Sequence, residues 1–152
     1  MNNQGNSTDE CVIAALIGAI DTYLAPYQET ISGVGDVLTQ ISSATIRWDF
    51  GKSNSTLLSP QADILKTAIS NIKAQTLEAI RECLISATDE LIWRQDEDEY
   101  YAAGSDLGDG YRASNLHTLL IGPSNAKYHH PDFTLGIFLL GPFTLYRDHF
   151  HL

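Results

Sequence analysis

The fold prediction rests on the C-terminal stretch, where residues 133–152 read FTLGIFLLGPFTLYRDHFHL. Two short apolar runs lie in it, Phe133–Leu140 and Phe143–Leu152, and a Gly-Pro pair separates them. An earlier run, Asn115–Ile121, also ends at a Gly-Pro pair. Short apolar runs that end at such pairs are typical of strands joined by turns. The pattern predicts three short strands of an antiparallel sheet or barrel.

The residues before this stretch have helical patterns instead. Apolar residues recur at helical spacing over Thr8–Leu24, Tyr27–Ser43 and Ser59–Thr88, and the last of these is long enough to be kinked or broken midway. The first helix is apolar almost all round between Cys11 and Ile20, so we expect it to be deeply buried. Helices followed by strands predict an α+β fold.

The chain divides into three regions by composition. Residues 1–90 form a helical N-terminal region, residues 91–114 an acidic connector, and residues 115–152 the strand region. The stretch 89–109 holds eight acidic residues and one base, so it supplies −7 of the net charge of −10. It lacks the D-x-D-x-D-G register of a calcium loop, which favours a solvated face or loop.

Composition excludes several classes of function. The 152 residues are 43% hydrophobic and 18% charged, which is typical of a globular domain. Lys and Arg total 9 against 19 Asp and Glu, which disfavours nucleic-acid and anionic-membrane partners. No apolar run approaches the roughly 18 residues of a membrane-spanning helix. The two cysteines, Cys11 and Cys83, are too few for a disulfide framework, so we expect reduced thiols and a cytoplasmic protein.

The histidines form two candidate groups. His149 and His151 are two residues apart, so on a strand they share a face and can bind one divalent metal ion. The alternative is two partly exposed strand histidines. Tyr146 lies three residues earlier, within reach of the same ion or a substrate. The adjacent pair His129-His130 follows a loop-like pattern and would point to opposite faces, which favours a surface or hydrogen-bonding role.

The group that contains His149 and His151 resembles a known motif. Tyr146, His149 and His151 match Tyr-x-x-His-x-His, the first metal motif of the cupin-type dimethylsulfoniopropionate (DMSP) lyases. Several earlier segments also look like the lead-in to the barrel of these enzymes: Trp93–Gln95, Tyr100-Tyr101, Leu120–Pro123, Asp132–Gly136 and Leu139–Pro142. The resemblance implies an N-terminal helical region followed by the first antiparallel strands of a cupin (jelly-roll) β-barrel.

The chain departs from the family pattern at its end. The family has a glutamate, a tyrosine and a further histidine after the second motif histidine, whereas this chain ends one residue after His151. The spacing between Gly141 and His149 is also longer than in the general cupin pattern. We therefore expect residues 115–152 to be an incomplete barrel. The remaining ligands would come from sequence beyond Leu152 or from a partner chain.

The resemblance also implies a chemistry. It predicts a metal-dependent carbon–sulfur lyase that cleaves DMSP, a small zwitterionic carboxylate, to dimethyl sulfide and acrylate by β-elimination. His149 and His151 would be metal ligands, and Tyr146 a base or a contact to metal or substrate. The cofactor would be a divalent transition metal such as Fe, Zn, Mn or Ni. Trp93 and Tyr101 would either contact the sulfonium through cation–π interactions or pack in the core.

Two other functions remain open from the sequence. One is a non-catalytic truncated cupin that acts as an oligomerisation or binding module. The other is a different cupin metalloenzyme, such as a dioxygenase, because fold alone does not fix the reaction. An open barrel leaves an exposed strand edge, so in each case we expect a homo-oligomer formed through the sheet edge or the helices.

Overall fold

A computed structural model describes residues 6–48, 50, 59–95, 106–108 and 110–145. Helices come first in the chain and most of the sheet comes last, as the α+β prediction requires. The helices are α1 (Asn6–Leu24), α2 (Val34–Ser43), α3 (Ser59–Ser70), α4 (Glu78–Ala87) and the short α5 (Tyr111–Ser114), and the strands are β1 (Thr45–Ile46), β2 (Leu116–Gly122), β3 (Ala126–His129) and β4 (Leu135–Leu139).

Helices α1 to α4 form one layer. Helix α1 packs against α2 and α4, and α3 packs against α4. The predicted start of the second helix at Tyr27 is wrong, because Ala25–Tyr27 is a 3-10 turn and α2 begins after Gly33. Gly33 has φ +87°, a left-handed conformation that a glycine adopts without the steric cost of a Cβ. The chain therefore changes direction there instead of continuing as helix.

The predicted long third helix is broken, as its length indicated. Helix α3 ends at Ser70, and α4 begins at Glu78 after a 3-10 turn at Gln75–Leu77. The Arg81 guanidinium on α4 lies across this break. It donates to the carbonyl oxygen of Ile72 at 3.4 Å and forms an ion pair with Glu82 at 2.7 Å. After the break, α4 packs against both α1 and α3.

The four strands form one mixed sheet in the order β1-β3-β2-β4. Strand β2 pairs antiparallel with β4 and parallel with β3, while β1 pairs antiparallel with β3. The predicted strand positions for β2 and β4 are confirmed within two residues. The expectation of antiparallel pairing is wrong for β2 and β3, because β3 follows β2 through a short connection and still runs in the same direction.

Two strands were not predicted. The pair His129-His130, between Tyr128 and Pro131, has a loop-like pattern, yet His129 is the last residue of β3. Strand β1 has two residues and carries no periodic signal. Conversely, residues 143–145 of the predicted third strand are not in a strand, and Phe143 has φ +59°. The rest of that predicted strand lies outside the described residues.

One hydrophobic core joins the helices to the sheet. Leu16 of α1, together with Leu120 and Ile121 of β2, is fully buried. The other members come from every long helix, from the segment that follows α4 and from the start of β2: Ile13, Ile17, Ile41, Leu65, Ile69, Leu84, Ala87, Leu91, Trp93 and Leu116. Burial of a leucine- or isoleucine-sized side chain contributes about 1.5–3 kcal/mol, so this core supplies most of the stability of the fold.

Helix α1 is less buried than its sequence predicted. Ile13, Leu16 and Ile17 face the core, but Ala14, Ala15 and Gly18 are exposed. Small residues expose little apolar area, so an almost uniformly apolar helix can still present one side to solvent. None of the described helices is both long enough and apolar enough to span a bilayer.

Candidate functional site

The two faces of the sheet differ in what covers them. On β4, Leu135, Ile137 and Leu139 pack against the helical core, and their neighbours on β2 do the same. Gly136 and Phe138 alternate with them and therefore point to the opposite face. His117 of β2 is opposite Phe138 in the register and lies on that second face. We call these the helix face and the open face.

The aromatic ring of Tyr111 extends the open face. It stacks on Phe138 with ring centroids 6.2 Å apart and an interplanar angle of 28°. Tyr111 is itself 1% exposed and forms a small second cluster with Leu107 and Leu140. The short helix α5 and the residues before it are thereby attached to the end of β4, next to the start of the Gly-Pro turn.

The segment from Leu140 to Leu145, the lead-in segment, connects β4 to the predicted metal motif. Two contacts with the last residue of α5 hold it. The Gly141 amide donates to the Ser114 carbonyl oxygen at 3.2 Å. The Ser114 and Thr144 hydroxyls lie 2.7 Å apart. Because the Ser114 hydroxyl donates to the Gly110 carbonyl at 2.8 Å, the Thr144 hydroxyl is the donor in this pair.

Two glycines permit this close packing. A Cβ on Gly141 would lie 2.6 Å from the Ser114 Cβ, and a Cβ on Gly108 would collide with the Leu145 backbone. Gly108 also has φ +103°, and its amide donates to the Asp106 carboxylate at 3.1 Å. Two close contacts therefore join the lead-in segment to the acidic connector: Gly141 with Ser114, and Leu145 with Gly108. The second contact fixes the position of the chain one residue before Tyr146.

The predicted site residues themselves are beyond this segment. Tyr146, His149 and His151 lie outside the described residues, as does Tyr101. Trp93 is described, and its packing interpretation is confirmed. It is 4% exposed in the main core, and its indole N–H donates to the Thr88 carbonyl oxygen at 3.0 Å.

His129 and His130, the second histidine group, have different surroundings. His129 lies on β3, opposite Thr45 of β1. The His130 Nδ1 accepts the Asp132 amide N–H at 3.1 Å, and its ring meets Phe133 edge-on at 5.8 Å. A nitrogen that accepts a backbone N–H is occupied, so the arrangement agrees with the predicted hydrogen-bonding role for His130.

Within the described ranges, no three His, Cys, Asp or Glu side chains come close enough together to hold a metal ion. Two imidazoles and a phenol are a donor set that suits divalent transition metals such as Zn, Fe or Ni. The donor set fits such an ion, although a complete site needs three or more protein ligands.

Sequence patterns did not single out Ser114 and Thr144, which link α5 to the lead-in segment. Serine and threonine are common in loops, and 30 residues separate this pair along the chain. The one signal that pointed to the region was the Gly141-Pro142 pair, which was interpreted as a turn. The structure adds that Gly141 is also required for contact with α5.

Comparisons with known proteins confirm the resemblance to the DMSP lyases. A family profile described as dimethylsulfoniopropionate lyase matches residues 37–152. A chain from the crystal structures of the DMSP lyases RdDddP and RnDddQII has a similar fold, with a TM-score of 0.60 and 16% identity. The match covers 88% of this chain and 60% of that chain, so this chain spans about three fifths of the length of its structural neighbour. No functionally curated protein matches at a significant level.

At 16% identity the structural neighbour establishes the fold alone. The family profile covers about three quarters of the sequence and includes β1 to β4, the lead-in segment and the Tyr146–His151 motif. This chain belongs to the dimethylsulfoniopropionate lyase family.

Proposed function

We propose that this protein is a carbon–sulfur lyase that converts DMSP to dimethyl sulfide and acrylate. The observation that carries the proposal is the family match over residues 37–152, which extends through the motif Tyr146-x-x-His149-x-His151. The substrate is a zwitterion, with a carboxylate at one end and a sulfonium at the other. This agrees with a chain whose acidic composition disfavours polyanionic partners.

The proposed reaction is a β-elimination. A base removes the proton on the carbon next to the carboxylate, the carbon–sulfur bond breaks, and its electron pair leaves with dimethyl sulfide. Tyr146 is the residue we assign as the base, because its phenol oxygen can accept that proton once it is deprotonated. The protein must therefore hold the Tyr146 oxygen beside the substrate.

His149 and His151 are the proposed ligands of a divalent transition metal. When bound, such an ion acts as a Lewis acid that stabilises negative charge developing beside the carboxylate. The two imidazoles would contribute neutral nitrogen donors, and residues two apart share a face wherever a chain is extended. The lead-in segment supports this placement, since Gly141 and Thr144 bind it to α5 just before the motif.

The lyase proposal is tested with the purified protein, reconstituted separately with Fe, Zn, Mn and Ni. Headspace gas chromatography measures dimethyl sulfide released from DMSP, and elemental analysis measures bound metal. We expect His149→Ala and His151→Ala to lose both metal and product. Tyr146→Phe should retain metal and lose product by about 10²–10⁴-fold, the usual range for a general base.

His130→Ala is the matched control, because its described contacts are with Asp132 and Phe133. It should keep both metal and activity. If the wild-type protein binds metal but releases no dimethyl sulfide under any of these conditions, the proposed activity is wrong. If His149→Ala and His151→Ala bind as much metal as the wild type, the ligand assignment is wrong.

Two further properties are proposed with the function. Cys83 is a free thiol on α4, which is consistent with a reducing cytoplasmic location.

Strand β4 lies at the edge of the described sheet, with Phe138 48% exposed. An exposed edge of this kind favours a homo-oligomer through the sheet or the helices. Light scattering tests this directly, and a monomer at all concentrations would contradict it.

A further inference from the structure

A cleft of about 410 Å³ lies between helix α3 and the end of strand β4. Its volume is within the range of sites that bind small molecules, about 300–1,000 Å³. One wall comes from α3 and the turn that ends it, and the other from the last residue of β4 and the start of the lead-in segment. All the lining residues belong to the described part of the chain.

Most of the lining of this cleft is apolar. Leu139, Leu140 and Pro142 form the sheet side, and Ile64 and Ala68 line it from α3. Four of these residues are half-buried and Pro142 is exposed, so water still reaches the apolar surface between the walls. Covering such surface with an apolar group is favourable. The lining therefore suits a ligand with an apolar body.

Three polar side chains line the same cleft along α3. Asp63, Thr67 and Asn71 are spaced four residues apart, so they lie along one face of the helix. The Asn71 backbone amide donates to the Thr67 carbonyl oxygen at 3.1 Å, which shows that the helical turn extends to Asn71. The three side chains are exposed and form no hydrogen bond or ion pair with any described residue. Their hydrogen-bonding groups are therefore open to a ligand.

The charge at this cleft is negative. Among the lining residues Asp63 alone is ionisable, and no ion pair joins it to Lys66, the nearest base on α3, within the described structure. Lys73 lies beyond the other end of the helix, where its Nζ donates to the Ser70 carbonyl oxygen at 2.6 Å. The net charge of −10 attracts cations and repels anions at longer range. These charges favour a positively charged ligand at the Asp63 end of the cleft.

We propose that the cleft between α3 and β4 binds a small organic ammonium ion with an apolar body. The Asp63 carboxylate pairs with the ammonium group, and the Thr67 hydroxyl accepts one of its N–H groups. The apolar body lies against Leu139, Leu140 and Pro142. This inference does not rest on the proposed lyase function, because the binding requires neither a metal ion nor DMSP.

The test uses isothermal titration calorimetry on the whole protein at low ionic strength, with three probes of similar size. Phenethylammonium carries the charge and the apolar ring, 2-phenylethanol keeps the ring without a charge, and phenylacetate carries the opposite charge. We expect saturable binding of one phenethylammonium per chain, binding of the alcohol about tenfold weaker, and no binding of phenylacetate. Absence of saturable phenethylammonium binding, or equal affinity for the alcohol, would overturn the proposal.

A pair of matched variants locates the charge that binds the ligand. Asp63→Asn should weaken phenethylammonium binding about tenfold, because the charge-assisted hydrogen bond is lost. Asp89→Asn is the control, since it removes the same charge from an exposed residue that does not line the cleft. It should bind phenethylammonium as the wild type does. Equal affinities in the two variants would show that Asp63 does not hold the ammonium group.

A second pair of variants tests the apolar part of the cleft. Ala68→Leu places a larger side chain inside the cleft, so it should weaken binding of both phenethylammonium and 2-phenylethanol. Ala79→Leu, at an exposed position on α4 outside the cleft, is the control and should leave both affinities unchanged. Wild-type affinity in Ala68→Leu would place the ligand elsewhere and overturn the assignment. If Ala68→Leu does not fold, the comparison of Asp63→Asn with Asp89→Asn decides alone.

Discussion

The helix face of the sheet and the lead-in segment are held by different kinds of contact. On the helix face, Leu116, Leu120 and Ile121 are 0–2% exposed and belong to the same core cluster as residues of α1 to α4. The lead-in segment has little such packing, and Phe143 and Leu145 within it are exposed. It depends on two glycine contacts and one pair of hydroxyls. Hydrophobic burial therefore fixes the fold, whereas a few close backbone contacts fix where the chain enters the metal motif.

The largest expected loss of stability comes from a substitution in the core that covers the helix face. Leu16→Ala removes a fully buried side chain of α1 and leaves a cavity, so it should lower the free energy of unfolding by about 2–5 kcal/mol. Urea denaturation measures the change. Ala15→Ser, at the neighbouring exposed position, should stay within about 0.5 kcal/mol of the wild type. A Leu16→Ala protein as stable as Ala15→Ser would contradict the assigned core.

The next effect concerns the lead-in segment. Gly141→Ala places a Cβ 2.6 Å from the Ser114 Cβ, so it should cost about 1–3 kcal/mol of stability. It should also lower dimethyl sulfide release, since the entry to the motif must shift. The matched control is Gly18→Ala on α1, where nothing lies within 4 Å of the new atom. Because alanine is the better helix former, that change should stabilise by up to about 1 kcal/mol.

A compensating change checks the cause of the Gly141→Ala effect. Ser114→Gly removes the atom that the new methyl group meets, so the double variant should lose less stability than the two single changes added together. Strict additivity would show that the close approach of residues 141 and 114 does not explain the effect.

A smaller effect is expected for the hydroxyl pair. Ser114→Ala removes the group that bonds both Gly110 and Thr144, at a cost of about 1–2 kcal/mol in the free energy of unfolding. Thr144→Ser keeps a hydroxyl and should lose less than Thr144→Val. A thermal unfolding series measures all three. Equal losses in Thr144→Ser and Thr144→Val would mean that the hydroxyl pair does not hold the segment.

The smallest expected change in stability comes from replacing Thr118, a buried residue on the helix face. Thr118 is 1% exposed, and its hydroxyl oxygen forms no hydrogen bond among the described residues. Thr118→Val replaces that hydroxyl with a methyl group of similar size, so stability should be unchanged or rise by about 1 kcal/mol. A loss of more than about 1 kcal/mol in chemical denaturation would show that the hydroxyl has a partner in the native protein.

Periodic signals in the sequence predicted the parts of the fold that apolar burial decides. Helix α1 and strands β2 and β4 follow directly from apolar spacing and Gly or Pro positions. Strand β3 is not predicted because it has only four residues, and its last residue, His129, lies in the loop-like run Tyr128-His129-His130-Pro131. Its parallel pairing with β2 depends on tertiary contacts that no local pattern records.

The candidate site divides in the same way. The motif Tyr146-x-x-His149-x-His151 was predicted from residue spacing and resemblance, and the family match includes it. The contact of Ser114 with Thr144 joins residues that are far apart in sequence, so it required the fold to be known.

The most direct test of the proposed function follows the fate of DMSP by proton NMR. The metal-reconstituted wild-type protein should consume DMSP and produce the vinyl signals of acrylate together with an equimolar amount of dimethyl sulfide. The Tyr146→Phe protein should leave the substrate almost unchanged. Loss of DMSP without acrylate, or equal acrylate formation by the two proteins, would contradict a β-elimination in which Tyr146 is the base.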